Sequence, residues 1–123
     1  MAAWTDDELR RIDSVDELEI AAVRRNGELR RPTPVWVVRV GDDIYVRAAY
    51  GSGSGWYGVA RESGRAHIRA AGVERDVSVE DADSSALDAV DAAYRAKYGR
   101  YASIVDSLVK PEHRANTVRL VRR

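Results

Sequence analysis

The sequence predicts a mainly β, α+β domain in which six short antiparallel strands close, or nearly close, into a barrel carrying short helices. Residues 17–49 hold three strand-like runs separated by the turn signals Asn26-Gly27 and Gly41-Asp42-Asp43. Residues 65–80 hold two more around Ala71-Gly72, and the C-terminal "NTVRLVRR" makes a sixth. The strands are short and closely connected, and closing such a sheet removes its exposed edges.

The elements follow in order. In "WTDDELRRID", Thr5 is placed to cap a helix and Glu8 to return the bond three residues later, with Trp4 and Leu9 as a hydrophobic staple. A helix is expected over about residues 5–12. In "DELEIAAVRR", Leu18, Ile20 and Ala22 alternate with Glu17, Glu19 and Ala21, the period of a strand with one buried face. "TPVWVVRV" is rich in β-branched and aromatic residues. Pro34 puts it at a sheet edge or marks the strand's first residues, because proline donates no ladder bond. "IYVRAA" is the third strand.

In "YGSGSGWYGVARESG", Ser54 is expected to cap a helix over Trp56–Ser63, and Gly64 to end it in the left-handed conformation. In the fifth strand Val73, Val77 and Val79 share one face, and Glu74, Asp76, Ser78 and Glu80 the other. "DADSSALDAVDAAYRAKYG" is the clearest helix. Ser84 or Ser85 caps it, Leu87, Val90, Tyr94 and Tyr98 recur at helical spacing, and Gly99 stops it. "RYASIVDSLVKP" is a second short helix ended by Pro111. Residues 1–123 thus read as one domain, with the barrel over about 16–121.

Composition excludes several functions. The 20 basic and 20 acidic side chains cancel, without the excess a nucleic-acid binder carries, so no nucleic-acid partner is expected. Absence of cysteine removes disulfides, thiol catalysis and Cys-based zinc sites. His67 and His113 are isolated, and no metal site is expected. No apolar run is long enough to span a membrane, and the acidic N-terminus lacks the apolar core of a signal peptide. The expected setting is the cytoplasm, with no membrane partner.

Carboxylates form no acid/base pair: Asp42-Asp43 fits a turn, and Asp81 and Asp83 lead into a helix cap. Ser52, Ser54 and Ser63 have no histidine in a triad-like setting. Hydrolysis and acyl transfer are therefore unsupported and no catalytic side chain is assigned; redox chemistry would belong to a bound cofactor.

The loop at 51–55 is the best site candidate. Its glycines and serines, just before a helix, would offer backbone N–H groups, hydroxyls and the positive helix end to an anion. Arg47 on the preceding strand would reach the same place, and Arg61 lies about one and a half turns into the helix. This is neither a Walker loop nor a dinucleotide fingerprint, and a plain flexible connection is the competing reading. Arg39, Arg69 and Arg75 suit the wet face of a strand.

The stretch "RRPTPVWVVRVGDDIYVRAAYGSGSGWYGVARESGRAHIRAAGVERDVSVE" resembles the flavin-binding split β-barrel superfamily. That superfamily includes the pyridoxamine-phosphate-oxidase-like and deazaflavin-dependent nitroreductase-like proteins. Within it the chain looks most like a bacterial group known as DUF2255. The marks are Arg31, Pro34, Val35 and Trp36, the turn at Gly41-Asp42-Asp43, the strand ending at Arg47, the helix start at Trp56-Tyr57 and the hairpin "HIRAAGVERDV".

The resemblance implies an FMN-binding-type six-stranded split barrel, a homodimer, and FMN or F420 as cofactor. It places the cofactor's phosphate near Arg47, Ser52, Gly53, Ser54, Gly55 and Arg61, and its ring along Thr33, Pro34, Val35 and Trp36, with Trp56 at the helix start. Val59 stands where many deazaflavin-type relatives carry Asn. Two functions follow: a flavin- or F420-binding oxidoreductase-like protein of unknown substrate, or a non-catalytic dimeric split barrel that binds a ligand or partner.

Overall fold

The computed structural model describes residues 3–48 and 55–123. Helix α1 (Asp6–Asp13) precedes strands β1 (Glu17–Ala22), β2 (Thr33–Val40) and β3 (Asp43–Arg47). Helix α2 (Gly55–Ser63) leads into β4 (Arg65–Ala70) and β5 (Val73–Asp81). Helices α3 (Leu87–Tyr98), α4 (Ala102–Leu108) and the single turn α5 (Pro111–Arg114) precede β6 (Thr117–Arg122). The six strands form a closed antiparallel barrel in the order β1-β2-β3-β6-β5-β4, as expected of a split barrel. Among the described residues no helix is long and apolar enough to cross a membrane.

Two apolar clusters divide the barrel wall. Leu18, Ile20, Val37, Ile44, Val46, Ile68, Val77 and Leu120 fill the interior. Val38 and Tyr45 point outward and are covered by Val90, Tyr94, Tyr98, Val105 and Leu108 of α3 and α4. β2 and β3 are thus buried on both faces, which is why "TPVWVVRV" and "IYV" lack polar alternation. Pro34 is the second residue of β2, opposite Glu19. The barrel closes, so the strand-start reading of this proline holds and the edge reading does not.

Local turn chemistry sets the hairpins. Ala71 (φ 50°) and Gly72 (φ 82°) both lie in the left-handed region, the geometry of a type I′ turn. Two expectations are corrected and one holds. Asp83, not Ser84 or Ser85, accepts the capping bond, from the Ser85 N–H, and opens a 3₁₀ turn ahead of α3. Gly99 does end α3, as its C-cap, with φ −57°, and a 3₁₀ turn over Gly99–Tyr101 then leads into α4. Pro111 begins α5, where its missing N–H costs nothing. The expected cap at Ser54 lies outside the described residues.

Helix α1 plugs one barrel end. The capping box forms as expected: the Glu8 amide donates to Thr5 Oγ1 at 3.1 Å, and the Thr5 amide donates to Glu8 Oε1 at 3.0 Å. Leu9 and Ile12 enter the core, and Trp4 Nε1 donates to the Leu120 carbonyl at 3.0 Å. Glu8 is itself buried, its second oxygen 2.8 Å from Arg75 Nε and 3.5 Å from Arg122 Nε. Burial pushes this carboxyl up, but the Thr5 amide and the two guanidiniums outweigh it and hold it below the usual range.

A lowered carboxyl stabilises the fold fully above about pH 5, and that contribution disappears as pH falls through the folded value. Glu8→Gln is expected to cost about 1–3 kcal/mol near pH 7. The gap from wild type should shrink toward pH 3 in urea titrations. A gap independent of pH would show that the ionised carboxylate contributes nothing.

Candidate functional site

A cavity of about 530 Å³ opens where β1, β2 and the end of β3 meet the first turn of α2 and one face of α4. That size lies within the usual range of small-molecule sites, about 300–1,000 Å³. Thr33, Pro34, Val35 and Trp36 of β2 line one wall. Arg47, Ala48, Gly55, Trp56 and Tyr57 line the second, and Ile104 and Leu108 of α4 the third. Of the residues expected at a cofactor site, Thr33, Pro34, Val35, Trp36, Arg47, Gly55 and Trp56 therefore come together. Ser52, Gly53 and Ser54 lie outside the described residues.

Arg61 is not part of this cavity. It stands five residues after Trp56, about 140° around the helix. Its Nε and Nη2 donate to the two oxygens of Asp81 at 2.9 and 2.7 Å, and its guanidinium lies 5.6 Å from the Tyr57 ring. His67 is also elsewhere, on the barrel's outer surface, with Nδ1 2.8 Å from Asp76 and Nε2 3.2 Å from Glu74. The hydrogen bond to Asp76 leads in raising its pKa.

Arg47 lines the cavity, but its charge is already matched. The side chain is wholly buried. Nε donates to Thr117 Oγ1 at 2.8 Å, and Nη1 donates to Asp91 Oδ1 at 2.6 Å and to the Leu108 carbonyl at 2.9 Å. The other Asp91 oxygen lies 3.1 Å from Arg114 Nε. Arg47 Nη2 is buried with no hydrogen-bond partner among the described residues. One guanidinium thus joins β3, β6, α3 and α4 at the back of the cavity.

Two tyrosines of α3 complete this wall. The Arg47 amide donates to Tyr94 Oη, and the Val37 amide to Tyr98 Oη, each at 3.0 Å. Tyr98 Oη in turn donates to the Asp16 carbonyl at 2.6 Å. Burial raises both phenol pKa values well above the ordinary one, so both hydroxyls stay protonated. The Tyr98 ring also stacks on Trp36 at 4.0 Å with planes 2° apart, which fixes the indole at the cavity wall.

Sequence reasoning missed Asp91, Arg30, Glu17, Ile104 and Leu108. Asp91 had a visible signal: it shares a helix face with Tyr94 and Tyr98 at i, i+3 and i+7, so an acid sits on an apolar stripe. Arg30 had none, since "LRRP" does not say which arginine faces inward. In the structure Arg31 is exposed, while Arg30 is half-buried and lines the cavity. Ile104 was hidden because nothing local places α4 against β2.

The cavity presents aromatic area at Trp36, Trp56 and Tyr57 and aliphatic area at Val35, Ile104 and Leu108. Among the described lining residues Glu17 is the one carboxylate, so no acid/base pair assembles there. Arg47 and Arg30 are expected to behave differently in denaturant titrations. Arg47→Ala leaves Asp91 with Arg114 alone, opens a buried gap between β3, α3 and α4, and should cost about 3–5 kcal/mol, while Arg30→Ala should stay within about 0.5 kcal/mol. Equal, small losses would show that Arg47 is not a structural group.

The comparisons agree with this architecture. The chain is 17% identical to the crystal structure of a conserved hypothetical protein from Mycobacterium tuberculosis, with a TM-score of 0.66 over 98% of this chain and 81% of that one. An F420-H2 dependent reductase gives a TM-score of 0.62 at 13% identity, covering 87% of this chain and 94% of that one. A FAD-binding protein from Mesorhizobium loti also gives 0.62 at 13% identity, covering 99% and 92%. At such identities the likeness shows a shared fold. No curated protein matches the sequence. The family model described as "Uncharacterized protein conserved in bacteria" matches residues 8–120, and the chain therefore belongs to the DUF2255 family.

Proposed function

We propose that this protein is a flavin- or F420-binding, oxidoreductase-like protein that holds its ligand in the cavity between β2, α2 and α4, with a homodimer as the working assembly. The observation that carries the reading is Trp36: an indole locked by Tyr98 on the wall of a cavity of about 530 Å³ lined by Val35, Trp56, Ile104 and Leu108. A flat heteroaromatic ring gains both apolar burial and stacking against such a wall. The two similar structures whose names mention F420-H2 and FAD support the same class of ligand.

A bound flavin or deazaflavin would supply hydride transfer. This chain's residues would do the rest. Val35, Trp36 and Ile104 would exclude water from the ring. Gly55 brings only backbone to the cavity, and the space beside it at the start of α2 is open among the described residues. Tyr101 and Ile104 are exposed beside this opening, an apolar surface suited to a second copy.

One observation favours a non-catalytic ligand-binding role instead: Arg47 is committed to Asp91, and no acid/base pair lines the cavity among the described residues. Titration with FMN and with F420, read by tryptophan quenching and by the cofactor's absorbance, tests the shared requirement for binding. One of the two should bind saturably at micromolar concentration, and Trp36→Ala should weaken it about tenfold. If neither binds at that level, the flavin reading falls. Binding without reduction of any acceptor would leave the non-catalytic role.

A further inference from the structure

Most arginines of this chain are paired. Among the described residues, those in no ion pair are Arg24, Arg30, Arg31, Arg65 and Arg123, as comparison of the sequence with the paired residues shows. Four of the five are exposed, where water solvates the charge; Arg30 alone is half-buried, and it lines the cavity. A half-buried arginine without a counter-ion stands where an incoming anion would supply one.

The strand register shows where that charge lies. Glu17 stands opposite Trp36 and Ile20 opposite Thr33, while the Arg30 amide donates to the Ala22 carbonyl at 2.8 Å. Arg30 therefore leaves the chain beyond the Thr33 end of β2 and Glu17 at the Trp36 end, five residues or about 17 Å apart along β1. Arg47 belongs to the Trp36 end too, because it follows Val46, the partner of Val37. There its charge is matched by Asp91, and Glu17 adds a carboxylate free of ion pairs among the described residues. The cavity is therefore polarised, positive at Arg30 and not at Arg47.

We propose that Arg30 is the residue that selects the ligand of this cavity, receiving an oxyanion, phosphomonoester or carboxylate, while the ligand's ring lies toward Trp36. The proposal rests on the preceding reading of the cavity as a ligand site, but not on the ligand being a flavin. Arg47 shapes the wall and does not contact the anion.

Phenyl phosphate, benzoate and phenol are the probes, titrated into the full chain while the arginine Nε–H resonances are followed by NMR. The Arg30 resonance should shift saturably with phenyl phosphate or benzoate, whichever anion the site takes, and not with phenol. Arg30→Ala should weaken the anion at least about tenfold and leave phenol unchanged, and Arg30→Lys should recover part of the loss. The assignment is overturned if Arg30→Ala binds the anion as wild type does, if the shift falls on Arg47, or if neither anion binds. Saturation at Arg30 without FMN or F420 binding would sink the flavin reading and support this one. Equal FMN affinity in wild type and Arg30→Ala would do the reverse.

Discussion

The contact between Arg47 and Asp91 sets the geometry on which the rest of the cavity depends. Burying a guanidinium completely costs several kcal/mol unless its donors are met. Here Nε and Nη1 are met by groups from three separate segments: Asp91 on α3, the Leu108 carbonyl at the end of α4, and Thr117 at the start of β6. None of these is a sequence neighbour of β3. The arginine can be buried only when the helices have docked, so it specifies one arrangement of α3 and α4 against the barrel. The wall of the cavity is a product of that arrangement.

The same docking explains Trp36. Its ring is large enough to pack in several ways, yet Tyr98 covers it in a near-parallel stack, and the Tyr98 hydroxyl is fixed by the Val37 amide and the Asp16 carbonyl. Tyr94, one turn earlier, does the equivalent for the Arg47 amide. Two tyrosines four residues apart on α3 thus satisfy backbone groups on two adjacent strands. A phenol serves because it carries apolar area to the barrel surface and delivers a hydroxyl at the far end. Phenylalanine, which this chain lacks altogether, would leave those buried amides without acceptors.

What could be read from the sequence follows the distance over which each feature is determined. The hairpins, the Thr5–Glu8 capping box and the order of six strands were legible because they rest on adjacent residues and on a period of two. The helix ends were less so: Asp83 competes with the serines after it for the same cap, and Pro111 can open a helix as well as close one. The β2 wall of the cavity was legible, since Thr33 to Trp36 are consecutive strand residues. Its charges were not. Arg47 was identified as unusual but assigned to the loop that follows it. Its partner lies 44 residues away on a helix whose register against the barrel no local pattern gives. Arg61 was placed by proximity in sequence to Trp56, and the helical rotation between them takes it to Asp81 instead.

These two arginines show a difficulty that bears on arginine-rich chains generally. With 18 arginines against two lysines, the presence of an arginine beside a suspected site carries little information. What carries information is whether its charge is already answered inside the protein. Arg61 and Arg47 are already paired, with Asp81 and Asp91. Arg30 occupies the opposite category, half-buried, cavity-lining and outside every internal ion pair among the described residues. Net neutrality of the whole chain conceals this, because 20 acids balance 20 bases only in the sum. The electrostatics of the site depend on which pairs form, and pairing is a property of the folded barrel.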